Sequence, residues 1–386
     1  MKKKQSTSST LWALLAGNFA IGTGVLAPAG LMNDLMQAFS VDAATAGTLI
    51  AYGGALLCIE APILAYVTNR MDRRYLLAGA LFLYALGHGW SALVTDFQSL
   101  LTLRLIMIAA VAGFTPQAAS ALPLFIVREK RAEAITFIFL GWSLAGAIGI
   151  PFTNLIGAVV GWQIAYFILA GLSALAGIAV FLTMPVGLRP HHLSTSAWHK
   201  VLSSANIWGI LCISGVAITG QYMQYPYIVV ELNSRVQASP FTMATLLAAY
   251  GSASILGTVL ATRTVQRLGV RATVTAFLAI TLLGLILWTV KLSFPPLIGL
   301  TLFIWGIGMS PAIAAQQARL IETDPLAASA STALNTSIVY LGQAVGTSAG
   351  GMMLTRGLTG FSAGLAIGLL TLACVLSLLL HLQLRV

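Results

Sequence analysis

Glu60 and Arg104 are charged residues inside long apolar runs, and charge at membrane depth marks a site by default. Glu60 stands about ten residues before a basic cluster, ~15 Å along a helix. A carboxylate in a medium that disfavours its charge can bind and release a proton. Arg104 sits near the start of its run, where a guanidinium in hydrocarbon costs at least ~2.5–3.5 kcal/mol and so needs a cavity or a partner. On helices placed by hydropathy the two residues differ in depth by ~15 Å and are not expected to pair. This is chemistry for moving protons rather than for breaking bonds. The chain has no HExxH, no catalytic acid pair, no Ser/Asp/His set and no GxxxxGKS/T loop, so neither an enzyme nor an ATPase is expected. A membrane-embedded enzyme or a sensor is the reading set aside here, and a sensor would carry an added cytoplasmic domain.

The elements that must position these residues are membrane helices. Charged residues make up 8% of the chain, apolar residues 58%, and the mean hydropathy is +0.91. A soluble domain carries about 25% charged residues. Stretches long enough to cross a bilayer fall near 11–33, 45–68, 75–95, 99–127, 134–158, 161–184, 205–230, 241–264, 272–291, 296–318, 327–353 and 360–384. The first run is too long for the core of a signal peptide and reads as a span. With twelve spans, sixteen of the 20 Lys and Arg fall on one side, three on the other, and Arg104 within the fourth span. This places both termini in the cytoplasm. The net charge of +10 is thus a topology signal, and no nucleic-acid surface is expected. Cys58, Cys212 and Cys374 stand alone in apolar runs and are expected to be buried thiols. His191, His192 and His199 lie in a polar stretch where no carboxylate or Cys completes a metal shell, so neither a metal nor a cofactor is expected.

The chain also repeats itself. Pro28 recurs as Pro226, Tyr52-Gly53 as Tyr250-Gly251, Arg70 as Arg267, Pro116 as Pro311 and Gly149 as Gly346, at offsets of 195 to 198 residues. Two parallel copies of a six-span unit are the mark of a secondary transporter. The expected domains are an N-terminal six-helix bundle over 1–188, a cytoplasmic linker over 189–203 and a C-terminal six-helix bundle over 204–386.

The segments NRMDRR (Asn69–Arg74), TDFQSLLTLR (Thr95–Arg104), GIP (Gly149–Pro151), GWQIAYF (Gly161–Phe167), QRLGVR (Gln266–Arg271) and ALNTS (Ala333–Ser337), in this order, resemble the major facilitator superfamily. Within that superfamily the chain resembles the twelve-span drug/proton antiporters of the arabinose-efflux-permease-like kind. The resemblance covers essentially the whole chain. It implies an all-α polytopic membrane protein, twelve transmembrane helices in two parallel six-helix repeats around a central cavity. The family pattern after span 2 is Asp-Arg-x-Gly-Arg-Arg, a cytoplasmic latch. Here Arg70, Arg73 and Arg74 match, Asn69 replaces the Asp and Asp72 replaces the Gly, with Gln266, Arg267 and Arg271 in the second copy. Arg104 matches the family arginine linked to proton coupling. Gly146, Gly149 and Pro151 correspond to the antiporter-motif helix, where glycines are expected to let helices approach and Pro151 to bend the backbone. His88 lies at membrane depth in span 3, which in the family packs on the outside of the bundle, so a hydrogen-bonded histidine is expected rather than a coupling role.

The implied substrate cavity would hold Asn18, Gln117, Gln221, Tyr222, Gln224, Tyr225, Gln316, Gln317, Asn335 and Gln343, with aromatic walls from Trp142, Tyr225, Tyr227 and Trp305. Amides are costly in a bilayer unless bonded, and such a set suits a polar, neutral or weakly charged ligand. The expected function is export of a small organic solute or drug-like compound by rocker-switch alternating access, with proton antiport through Glu60. The alternative is uptake or facilitated diffusion of a sugar-like or other small metabolite. The partners are then a small-molecule substrate, protons and the lipid bilayer, for a monomer in a bacterial inner membrane. Neither Glu60 nor Arg104 has a charged counterpart in the second copy, so the first half reads as the energised half and the second as the ligand-holding half.

Overall fold

The computed structural model describes residues 7–68, 70–127, 130–189, 195–236, 238–324 and 328–383. Asn69, His191 and His192 lie outside them. No strand occurs among the described residues. The chain divides into two compact units, Met1–Ser40 with Ile59–His192 and Val41–Cys58 with Leu193–Val386. The chain crosses from one unit to the other three times, once inside a helix, between Cys58 and Ile59.

The first unit holds α1 (Thr7–Gly30), α2 (Met32–Phe39), the second part of α3 (Ala43–Val67), α4 (Arg73–Ser91), α5 (Phe97–Ala121), α6 (Arg131–Leu144), α7 (Ile150–Val160) and α8 (Trp162–Thr183). Helix α1 is the centre, with α5, α6, α7 and α8 packed on it. Leu14, Asn18, Ile21 and Val25 are all buried. A helix covered on every side has no need of an apolar stripe. Pro28 lies inside α1, and the helix runs on to Gly30. Having no N–H, Pro28 leaves the carbonyl of Gly24, four residues earlier, without its helical donor.

Between α6 and α7, residues Ala145–Gly149 form a π turn just before Pro151. The proline supplies no donor for the carbonyl of Ala147 and its ring crowds that group, so the turn widens. Gly149 faces α1 so closely that an added Cβ would collide with Thr23. Gly146 departs from expectation, since a Cβ there would meet nothing within 4 Å. In a regular helix Gly146 and Gly149 share a face. The wider turn breaks that register, and only Gly149 makes the close approach.

The second unit holds the first part of α3, α9 (Thr195–Ser203), α10 (Ala205–Tyr222), α11 (Ile228–Val236), α12 (Pro240–Trp288), α13 (Pro295–Thr323), α14 (Ala328–Thr355) and α15 (Thr359–Gln383). Helix α10 packs on α14 and α15, and α12 on α13. Pro226, the repeat partner of Pro28, ends its helix instead of riding inside it: it sits in the 3-10 turn Tyr225–Tyr227 between α10 and α11. Helix α12 carries two expected spans and leaves helical geometry at Gly269 (φ 79°, ψ 166°), a region open essentially to glycine alone. Pro311 frees the carbonyl of Ile307, and Gly257 packs against that carbonyl so closely that a Cβ would collide with it. Pro62 in α3 frees the carbonyl of Cys58, which accepts a hydrogen bond from Ser337 Oγ at 3.1 Å.

Among the described residues, 8 helices are long and apolar enough to cross a membrane, α12 counting once for two spans. The other expected spans are α4, α10 and α14, which are shorter or richer in Ser, Thr and amides. Of the three thiols, Cys374 is buried, Cys58 half-buried and Cys212 exposed. The expectation of three buried thiols is corrected: a side chain facing lipid is out of water without being covered by protein.

Candidate functional site

Arg104 closes the gap that Pro28 opens. Its Nη1 donates to the Gly24 carbonyl and its Nη2 to the Val25 carbonyl, both at 2.7 Å, and the side chain is 4% exposed. The fork geometry of a guanidinium suits two successive carbonyls. Asp96 starts α5 by accepting from Ser99 N–H at 2.8 Å, which sets where Arg104 falls along α1. The arginine is therefore solvated by backbone.

Glu60 has no hydrogen bond or ion pair among the described residues, and its Oε2 is buried. No pair joins it to Arg104, as the depths implied. His88 corrects its expectation. It is fully buried, both ring nitrogens lack partners among the described residues, and it lies edge-on to Tyr84 (4.4 Å) and stacked with Tyr166 (5.5 Å).

Asn18 is bonded at both ends of its amide by its neighbours. Its Nδ2 donates to the Ile138 carbonyl (3.0 Å) and its Oδ1 accepts from Thr115 Oγ1 (2.9 Å), which in turn accepts from Trp142 Nε1 (3.2 Å). This ties α1, α5 and α6 together. Gln117 is buried beside Ser120. After α3, Asp72 accepts from Arg74 N–H (2.9 Å) to cap α4, and its other oxygen accepts from Gly187 N–H (2.6 Å) beyond α8. The Arg73 guanidinium bonds the Thr68 carbonyl at 3.3 Å, and Arg74 lies 4.6 Å over the Phe181 ring. Asp72, Arg73 and Arg74 thus knot the ends of three helices within the first unit. Arg70, Gln266 and Arg267 are exposed, and Arg271 is half-buried.

In the second unit, Gln221 donates from Nε2 to the Tyr250 hydroxyl (2.6 Å) and accepts at Oε1 from Trp305 Nε1 (2.8 Å). Rings follow one another from Tyr222 to Tyr225 (5.7 Å), Tyr250 (5.0 Å), Trp305 (5.7 Å) and Trp288 (5.8 Å). Trp305 is fully buried at the back, whereas Tyr222, Tyr225 and Tyr250 remain half-exposed. Trp288 donates to Glu231 Oε2 (3.1 Å), which also pairs with Arg235, and Arg235 lies 4.0 Å over the Trp288 ring. Burial pushes the Glu231 carboxyl up, and the Arg235 charge opposes that. Gln224 bonds Ser362 (2.8 Å), Gln316 bonds the Ile210 carbonyl (3.1 Å), and the Tyr227 hydroxyl donates to the Thr347 carbonyl (2.7 Å). Gln343 and Asn335 are buried and Gln317 half-buried.

The structure thus gathers Gln221, Tyr222, Tyr225 and Trp305 into one polar-aromatic wall. Sequence reasoning missed Tyr250 in that wall, although the repeated Tyr-Gly pair pointed at the position. It also missed the Glu231–Arg235–Trp288 brace, whose signal was an acid and a base four residues apart. Asn18 and Gln224 are engaged in bonds between helices.

A sequence model described as the Major Facilitator Superfamily matches residues 13–347. The inner membrane transport protein YdhP of Escherichia coli is 25% identical over 357 residues, covering 90% of this chain and 89% of its own. A probable sugar efflux transporter of Helicobacter pylori is 26% identical over 358 residues, covering 92% and 91%. Among solved structures, a bacterial homologue of the human lysosomal transporter Spinster, inward-facing and occupied, aligns with a TM-score of 0.75 at 15% identity, covering 98% of this chain and 97% of that one. A D-xylose-proton symporter aligns at 0.74 and 16% identity, covering 96% and 97%.

Proposed function

The chain belongs to the major facilitator superfamily of membrane transporters, and from that premise we propose that it exports a small, uncharged, ring-containing organic solute in exchange for protons. The bundles 1–188 and 204–386, joined by the linker 189–203, alternate access as a monomer in a bacterial inner membrane, with both termini cytoplasmic. The efflux and inner-membrane names of the relatives support direction and location.

The observation that carries the coupling is Glu60, an intramembrane carboxylate with a buried oxygen and no partner among the described residues. A carboxylate free of an ion pair takes up and releases a proton without first breaking a bond. Arg104 holds α1 rather than a proton, and Asn69, Arg70, Asp72, Arg73 and Arg74 with Gln266, Arg267 and Arg271 line the proposed cytoplasmic latch. The solute rests on Tyr222, Tyr225 and Tyr250, with the Gln221 amide setting the Tyr250 hydroxyl. Glu231 and Arg235, the nearest charges in that chain of contacts, neutralise each other. The rings offer stacking and edge-on contacts and the hydroxyls offer hydrogen bonds, which suits a ring compound with polar substituents.

Proteoliposomes carrying an imposed pH gradient test this. Wild-type protein is expected to accumulate solute against its gradient, and Glu60→Gln to retain solute exchange but lose the pH-driven part. Unchanged accumulation by Glu60→Gln would sink the coupling assignment. Uptake or facilitated diffusion is the second reading, favoured by the scarcity of carboxylates in the spans. It predicts downhill flux that ignores the pH gradient in wild type.

A further inference from the structure

Of the six buried side-chain polar atoms without hydrogen-bond partners among the described residues of the second unit, five belong to three side chains near the connection of α13 and α14: Gln316 Oε1, Arg319 Nη1 and Nη2, and Asn335 Nδ2 and Oδ1; the sixth is Thr347 Oγ1. Arg319 is 2% exposed, Gln316 1% and Asn335 0%. Buried polar groups in folded proteins are nearly always satisfied, and a concentration of orphans points to an ion or ligand. Gln316 and Asn335 lie at matched depth. Gln316 is seven residues before the end of α13 at Thr323 (323 − 316), and Asn335 is seven after the start of α14 at Ala328 (335 − 328). Each is thus ~10 Å along its helix from the connection between the two. Arg319 stands one turn nearer that connection on the Gln316 face. Helices α13 and α14 pack on each other and both pack on α10. There Gln316 Nε2 bonds the Ile210 carbonyl, and Leu334 and Ile338, flanking Asn335 on α14, pack on the cluster that contains Ile210.

The charge balance points the same way. A buried guanidinium is costly unless paired. Among the described residues no acid forms an ion pair with Arg319, and Arg271, of the same sign, adds to its charge. Asp324, at the end of α13, is paired with Lys200 at 2.7 Å. What the cluster lacks is an anion.

We propose that Arg319, Asn335 and Gln316 form a binding site for a carboxylate or phosphate group. Arg319 supplies the two-pronged donor, which matches such oxyanions bidentately, and Asn335 Nδ2 a third donor. Gln316 Oε1 and Asn335 Oδ1 accept from hydroxyl or amine groups of the same ligand, and Arg271 adds to the attractive field. The anion comes either from a soluble organic acid or phosphate ester or from an anionic lipid headgroup. The site does not depend on which solute is exported.

The test uses full-length protein in phosphatidylcholine nanodiscs, with unfolding followed by temperature. A ligand that binds only the folded state raises Tm saturably. One arm titrates sodium phosphate and sodium acetate against sodium chloride of equal ionic strength; the other replaces a third of the lipid with phosphatidylglycerol at constant salt. A rise with phosphate or acetate assigns a soluble anion, and a rise with phosphatidylglycerol alone assigns a headgroup. Arg319→Gln is expected to abolish the rise and Asn335→Ala to weaken it. Equal Tm in every arm for the wild type overturns the proposal. So does a rise that persists undiminished in whichever variant folds.

Discussion

In the first unit Arg104 and Asn18 end on backbone carbonyls of α1 and α6, whereas in the second Gln221 ends on the side chains of Tyr250 and Trp305. A bond to backbone holds helices at a fixed distance and leaves little to offer a ligand. A bond between side chains sets the orientation of rings that are still half-exposed. The first unit therefore reads as frame and proton site, the second as ligand wall. The turns at repeat-equivalent positions 72 and 269 show the same division in miniature. Asp72 keeps an extended backbone (φ −64°, ψ 127°) and caps α4 with its side chain. Gly269 solves the turn with backbone alone, at a positive φ.

The largest expected effect lies in the frame. Arg104→Ala leaves the carbonyl freed by Pro28 buried and unbonded, at a cost of about 2–3 kcal/mol, read as lost thermal stability. Pro28→Ala restores a helical donor to Gly24, so the same Arg104 change in that background is expected to cost clearly less. Equal costs in the two backgrounds would show that Arg104 does not serve the proline. Gly269→Ala forces a Cβ into a glycine-only region and should cost about 1–3 kcal/mol. If the two turns were built alike, that substitution would be tolerated.

Tyr250→Phe removes the acceptor of Gln221 and frees the Tyr250 ring, for about 1–2 kcal/mol and roughly tenfold weaker solute binding. Lost stability with unchanged solute binding would place the wall outside the ligand path. Asp72→Ala, the smallest change, costs about 1 kcal/mol through the lost cap. Asp72→Gly should cost less at the cap, since glycine is itself a fair capping residue, but it loses the bond to Gly187 in the same way.

The sequence alone carried the helical fold, the positions of the spans, the family, and Glu60 and Arg104 as residues out of place in hydrocarbon. Those features follow from transfer of each segment between water and lipid, which depends on local composition. Partnership does not. Arg104 meets Gly24 and Val25 across 80 and 79 residues, and Gln221 meets Trp305 across 84. The freed carbonyl of Gly24 was implicit in Pro28, but only helix packing placed a guanidinium beside it. Likewise Asn18 and Gln221 read alike as intramembrane amides. Tertiary structure separated them by setting Asn18 between a main-chain carbonyl and the Thr115 hydroxyl and Gln221 between two rings, because a hydrogen bond is decided by what lies within about 3 Å in space.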